Sequence, residues 1–185
     1  MKYDDTLSCV TNEIETALEK VDGEKVETLI DMICSAEKIF VVGAGRVLIS
    51  LHAWVKRFNH LGIKTNFVGA VDEPAITDKD ILIVGSGSGE SVFPVAISRI
   101  AKKYDAKVVH IGSNPKSSVG EISDLFIRIP CRTKLNLKDE IDSMQPMTSL
   151  FEQSIYILGD IIACMIIERK GLDLKTLWRM HANLE

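Results

Sequence analysis

Within seven residues, Gly85-Ser86-Gly87-Ser88-Gly89-Glu90-Ser91 sets three glycines among three serines, between a strongly apolar segment and a helical one. Glycines let the backbone turn sharply and approach a ligand, while hydroxyls and the amide N–H groups of a helix start donate to an anion. The chemistry is that of a phosphate cradle, with Ser86, Ser88 and Ser91 donating through hydroxyls and Gly87, Gly89 and Glu90 through amides. No Gly-Lys-Ser/Thr follows, so the loop is not Walker A, and the Gly-x-Gly-x-x-Gly spacing of dinucleotide sites is absent. The plainer alternative is a flexible strand-to-helix loop with a serine cap.

A second glycine turn, Gly43-Ala44-Gly45-Arg46, ends another apolar run and opens another helix. Arg46 there adds a cation toward the same anion, or is a solvated side chain on a tight turn. Further on, Ser149-Leu150-Phe151-Glu152 spells a Ser-x-x-Glu capping box at the start of an apolar helix. His52, His60 and His110 show no partner pattern and read as structural. Cys9, Cys34, Cys131 and Cys164 form no Cys-x-x-Cys pair and have no His at ligand spacing, so neither a metal site nor a redox motif is expected.

The elements that must position these residues follow from periodicity. Apolar positions recur at helical spacing over about 5–35, with a break at Asp22-Gly23. Short runs at 38–42, 64–68, 80–84, 107–111 and 125–129 are rich in β-branched residues and read as strands. Helices are predicted at 46–60, 91–104, 148–170 and 174–181. This alternation predicts an α/β fold: a three-layer, doubly wound, five-stranded parallel sheet with helices on both faces, and ligands beyond the carboxyl ends of the strands. One domain over 1–185 is expected, with an N-terminal helix at about 5–35 and C-terminal helices at about 148–182 packed on it. The chain has 185 residues with 46% hydrophobic and 26% charged, which excludes a disordered or fibrous chain. A net charge of −4 offers no basic field for nucleic acid. The start, Met1-Lys2-Tyr3-Asp4-Asp5, lacks the features of an export signal, and the apolar stretch 155–167 is short of the ~20 residues that span a bilayer. A cytoplasmic protein with reduced thiols and no membrane contact is expected.

The serine loop after the third strand and the Gly-x-Gly turn after the first resemble the sugar isomerase (SIS) domain, a flavodoxin-like fold that binds phosphosugars. Ser143-Met144-Gln145-Pro146-Met147-Thr148-Ser149-Leu150-Phe151-Glu152-Gln153 and the terminal His181-Ala182-Asn183-Leu184-Glu185 resemble the 6-phospho-3-hexuloisomerases over nearly the whole chain. The resemblance implies interconversion of 3-hexulose 6-phosphate and fructose 6-phosphate in the ribulose monophosphate route of formaldehyde assimilation, with no metal and no cofactor. It implies phosphate held by residues 86–91, proton transfer by Glu152, help from His181, and substrate contacts at Gly45, Arg46 and Val47. It also implies a homotetramer. Alternatives are an isomerase of another phosphosugar or a phosphosugar sensor without turnover. The chain departs from the family pattern at Val47, where a hydroxyl is usual, and at Ser91, Thr148 and Met180. The acids of the loop 69–74 stand where threonines are usual and would repel a phosphosugar if they faced it.

Overall fold

The computed structural model describes residues 2–181, 183 and 184. The outer limits of the expected domain, at 1 and 185, and the end of its C-terminal helices at 182 lie outside the described residues.

Helix α1 (Tyr3–Glu19) and helix α2 (Gly23–Ser35) divide at the predicted break. The Asp22 carboxylate accepts from Glu24 N at 3.0 Å and Lys25 N at 3.3 Å, satisfying donors that the first turn leaves unpaired. Strand β1 (Ile39–Val42), helix α3 (Gly45–His60), strand β2 (Thr65–Phe67), strand β3 (Ile81–Gly85), helix α4 (Val92–Lys103), strand β4 (Lys107–Gly112) and strand β5 (Leu125–Arg128) follow in order. The chain closes with helix α5 (Ser149–Lys170) and the short helix α6 (Leu174–Leu177). All strands are parallel, in the order β2-β1-β3-β4-β5.

β2 and the last helix are among the predicted elements that come out shorter. β2 keeps three residues because it is an edge strand paired only with β1. The last helix ends at Leu177 and continues as a tighter 3₁₀ turn, Trp178–Met180, instead of reaching His181; so short a helix has too few internal bonds to propagate.

Side chains alternate across the pleat, and the two faces are covered unequally. Ile39, Val41, Ile81, Ile83, Val109, Ile111 and Ile127 pack in one core with α1, α2, α3 and α5, while Phe40, Val42, Leu82, Val84 and Val108 pack in a second core under α4. Helix α5 is long and apolar enough to cross a membrane, but more than half of that stretch is buried inside the fold. The stretch 155–167, expected to fall short of a bilayer span, thus lies in a longer apolar helix, and its burial marks it as a core helix. Two side chains stitch it to α3: Ser50 Oγ donates to the Glu152 carbonyl at 2.8 Å, and Trp54 Nε1 donates to the Ile155 carbonyl at 2.8 Å.

Candidate functional site

The strand order reverses direction between β1 and β3: from β1 the chain moves outward to β2, and from β3 it moves the other way to β4 and β5. Loops leaving such neighbours diverge and leave a crevice at the carboxyl edge of the sheet. The crevice here is a cleft of about 380 Å³ lined on one side by Arg46 and Val47 and on the other by Ser86, Gly87, Ser88 and Ser91, with Thr148 and Glu152 closing the third. The first turns of α3 and α5 and the cap residue of α4 reach it, so the positive ends of three helix dipoles converge on one space.

The serine loop owes its form to the end of β4. The carbonyl of Ser86 lies 3.0 Å from His110 Nε2, that of Gly87 accepts from Ser113 N at 2.9 Å and Asn114 N at 3.1 Å, and that of Ser88 accepts from Asn114 Nδ2 at 3.2 Å. In a trans peptide the following N–H points away from the carbonyl, so the inward carbonyls of Ser86 and Gly87 turn the amides of Gly87 and Ser88 toward the cleft. The expected donor set is thereby corrected. The amide of Gly89 turns back to the carbonyl and hydroxyl oxygens of Ser86, at 3.2 and 3.1 Å, and that of Glu90 turns to Ser88 Oγ at 3.3 Å. Gly89 and Glu90 therefore do not line the cleft. They hold the serines, whose oxygens accept these bonds and keep their O–H groups for a ligand. Gly89 adopts φ +67°, and a Cβ there would fall 2.3 Å from Ser117 Oγ, so this position requires glycine. The Glu90 carboxylate is bound by Ser118 N at 2.8 Å and Ser118 Oγ at 2.7 Å; these bonds hold its pKa below the usual carboxylate range. Ser91 is the cap residue of α4 but makes no capping bond with its side chain, which instead faces the cleft.

Buried beneath the loop, His110 has its pKa pushed down to about 4 by desolvation, against a smaller opposing effect of the bond to Ser86. It is neutral at pH 7 and donates from Nε2 to the Ser86 carbonyl. Its unfolded-state pKa is near 6.5, so the unfolded chain binds more protons between pH 6.5 and 4, and stability is lost as pH falls through that window. The loss attributable to His110 is expected to approach about 3 kcal/mol near pH 4. Urea melts from pH 7 to pH 4 check this: the slope should flatten in His110→Gln, and an unchanged slope would contradict it.

Glu152 occupies the first turn of α5 and is 7% exposed. The capping box is not formed, because the helix begins with Thr148 as its cap residue and Ser149 already inside. Glu152 is thus free of the cap. Thr148 Oγ1 donates to its Oε1 at 2.8 Å, and Arg46 Nε stands 2.5 Å from Oε2 as an ion pair without hydrogen-bond alignment. Arg46, a candidate for the anion, points in this structure at the carboxylate instead. Val47 lines the cleft where a hydroxyl was expected, while Asp72 and Glu73 stay outside it, and Glu73 accepts from Gly69 N at 2.8 Å.

His181 does not join Glu152 within one chain. It stacks on His60 with ring centroids 5.1 Å apart and lies 5.4 Å from Trp178, in a second cavity of about 440 Å³ that Cys164 and Ile167 of α5 also line. Those residues are more than three turns beyond Glu152, about 20 Å along the helix. The 3₁₀ turn after α6 carries His181 to that end.

The cleft also contains two residues that motif reading passed over, Thr133 and Lys134, beside Met147 of the Gln-Pro-Met segment. The Glu140 carboxylate holds the loop that bears the first two, accepting from Thr133 N at 3.1 Å, Thr133 Oγ1 at 2.8 Å and Leu137 N at 2.9 Å. Position was the available signal, since a loop leaving β5 emerges at the same sheet edge as the serine loop.

A parallel sheet with this strand order and helices on both faces, with a serine-glycine loop at its switch point, defines a doubly wound α/β domain of flavodoxin-like architecture. The family model described as the SIS domain matches residues 32–157, and the chain belongs to that family. Within it, the chain belongs with the 3-hexulose-6-phosphate isomerases. It is 34% identical to the 3-hexulose-6-phosphate isomerase of Bacillus subtilis over 185 residues, covering 100% of both chains. It is 33% identical to that of Mycobacterium gastri, covering 97% of this chain and 89% of the other. The crystal structure of a hypothetical protein from Methanococcus jannaschii, from which a molecular function of 3-hexulose-6-phosphate isomerase was inferred, is 30% identical with a TM-score of 0.85, covering 98% of this chain and 99% of that one.

Proposed function

We propose that the chain interconverts 3-hexulose 6-phosphate and fructose 6-phosphate by proton transfer through an enediolate. The observation that carries this reading is one cleft into which both an anion cradle and a buried carboxylate open. In the reaction the Glu152 carboxylate takes the proton from C2. The C2–H electron pair becomes the C2=C3 bond as the C3 carbonyl pair moves onto O3. The acid returns its proton to C3 while O2 loses a proton and becomes the carbonyl oxygen, and O3 gains one. A single carboxylate serves both carbons because they are adjacent. Dipoles of three helix starts favour the anionic intermediate. Ser86, Ser88 and Ser91 with the amides of Gly87 and Ser88 hold the phosphate, and Arg46 and Lys134 supply positive charge at the mouth.

This reading includes a homotetramer in the cytoplasm. His181 lies about 20 Å along α5 from the Glu152 of its own chain, so its assisting role calls for the His181 of a neighbouring copy.

The experiment is a coupled assay. A hexulose phosphate synthase makes substrate from ribulose 5-phosphate and formaldehyde, and fructose 6-phosphate is followed as NADPH through glucose-phosphate isomerase and an NADP-dependent dehydrogenase. NADPH formation supports the reading. Folded protein without turnover, still stabilised by fructose 6-phosphate, would replace it with a sensor or an isomerase of another sugar. In the same assay Lys134→Ala should raise KM about tenfold and leave kcat within about threefold, because a phosphate contact serves ground and transition states alike. An unchanged KM would remove Lys134 from the site.

A further inference from the structure

Glu13 lies on α1, outside residues 32–157 of the family match, yet it is bound to the segment that leads into the site. Its Oε2 accepts from Ser143 Oγ at 2.6 Å and Gln145 Nε2 at 3.1 Å, and its Oε1 accepts from Met144 N at 2.8 Å. Partial burial alone would raise its pKa, but these bonds outweigh it and hold the carboxyl below its ordinary range. It is therefore an anion at neutral pH and purely an acceptor, which suits these three donors and the Cys9 thiol, 3.9 Å from Oε1.

From that grip the chain runs through Pro146 to Met147 and Thr148. Met147 sits at φ +57°, a left-handed conformation that costs a residue with a side chain about 1 kcal/mol or more and persists only where its surroundings enforce it. Met147 is also 91% exposed, so its own side chain does not provide the enforcement. The constraints lie on either side. Upstream is Glu13. Downstream are the first turn of α5, with Ser149 N bonded to the Pro146 carbonyl at 3.2 Å, and the bond from Thr148 Oγ1 to Glu152.

We infer that Glu13 is a positioning residue for proton transfer: by gripping 143–145 it fixes the turn at Met147, and so places the Thr148 hydroxyl that orients the Glu152 carboxylate. This rests on the reading of Glu152 as the proton carrier. Glu13 touches no substrate. It acts across 130 residues of sequence, through one strap.

The test is Glu13→Gln, which keeps the shape but turns an NH₂ group toward the donors. Measurements are steady-state kinetics, amide hydrogen exchange and melting temperature, alone and combined with Thr148→Val. The expected result is a fall in kcat of about tenfold from a misplaced carboxylate, with KM within about twofold. Exchange at residues 147–152 should rise about tenfold while the sheet amides keep their protection. Glu13→Gln should cost little more in the Thr148→Val background, since both act through one hydroxyl. A kcat equal to wild type, or losses that add fully, would overturn the inference and leave the functional reading intact. If wild type itself shows no turnover, the functional reading fails, and the proton-transfer role of Glu13 fails with it. Exchange then still decides its grip on the strap: unchanged rates at 147–152 would overturn that as well.

Discussion

Glu152→Gln is expected to lower kcat by at least about 100-fold, the lower end of what removing a general base costs, with the fold retained. The variant is isosteric. Its amide oxygen can still accept from Thr148 Oγ1, as Oε1 now does, and its backbone carbonyl still accepts from Ser50 Oγ. What is lost is the basic oxygen and the charge opposite Arg46. Because the serine loop proposed to hold the phosphate is untouched, KM should move by less than about threefold. Stopped-time assays on both proteins, with circular dichroism to confirm folding, check this. Near-wild-type turnover would assign the proton to another group and return Glu152 to a structural role.

The largest effect on stability is expected far from the chemistry, at Gly159. One helical turn before it, the Ile155 carbonyl accepts from the Trp54 indole, and that ring then crosses directly over Gly159. A Cβ on residue 159 would stand 2.1 Å from Trp54 Nε1 and 2.4 Å from Cδ1 and Cε2. Trp54 is 1% exposed and packs on Phe58 with centroids 5.6 Å apart, so the ring has nowhere to withdraw. Overpacking costs about 1–3 kcal/mol and a broken buried indole bond about 1–3 kcal/mol more, offset by about 1 kcal/mol of helix propensity gained by alanine. The net for Gly159→Ala is a loss of about 3 kcal/mol, or roughly 10 °C in melting temperature for a chain of this length. Activity should fall too, since α3 and α5 carry Arg46 and Glu152 on their first turns. Denaturant titration checks the figure, and a variant that melts within a degree of wild type would show that the helices separate more easily than this contact implies.

Both results depend on features of different legibility. The sheet was readable because buried parallel strands are apolar on both faces, so Phe40-Val41-Val42 and Ile81-Leu82-Ile83-Val84 stand out from helices that are apolar on one. The serine loop was readable because glycines and hydroxyls between a strand and a helix have few other uses. Which of its amides face a ligand was not, since that depends on carbonyl bonds to Ser113 and Asn114, at the end of a strand that follows later in the chain. The capping box at Ser149 misled because helix starts shift by a residue at no cost in pattern. With Thr148 as the cap, the same glutamate turns toward the cleft. His181 was readable as a terminal histidine but not in its place, which follows from where the short α6 ends. Lys134 lies in a loop with no motif, and Glu13 looks like any exposed helix acid until the fold brings Ser143 against it.

If Glu152 moves a proton between adjacent carbons of a phosphosugar, solvent hydrogen must enter the sugar. The most direct test is to incubate the protein with fructose 6-phosphate in D₂O and read deuterium by mass and NMR. Exchange is expected at C3, one deuterium per molecule at equilibrium of that carbon, in wild type and not in Glu152→Gln. Interconversion without any solvent deuterium in substrate or product, even at long times, or exchange that persists unchanged in Glu152→Gln, would contradict it.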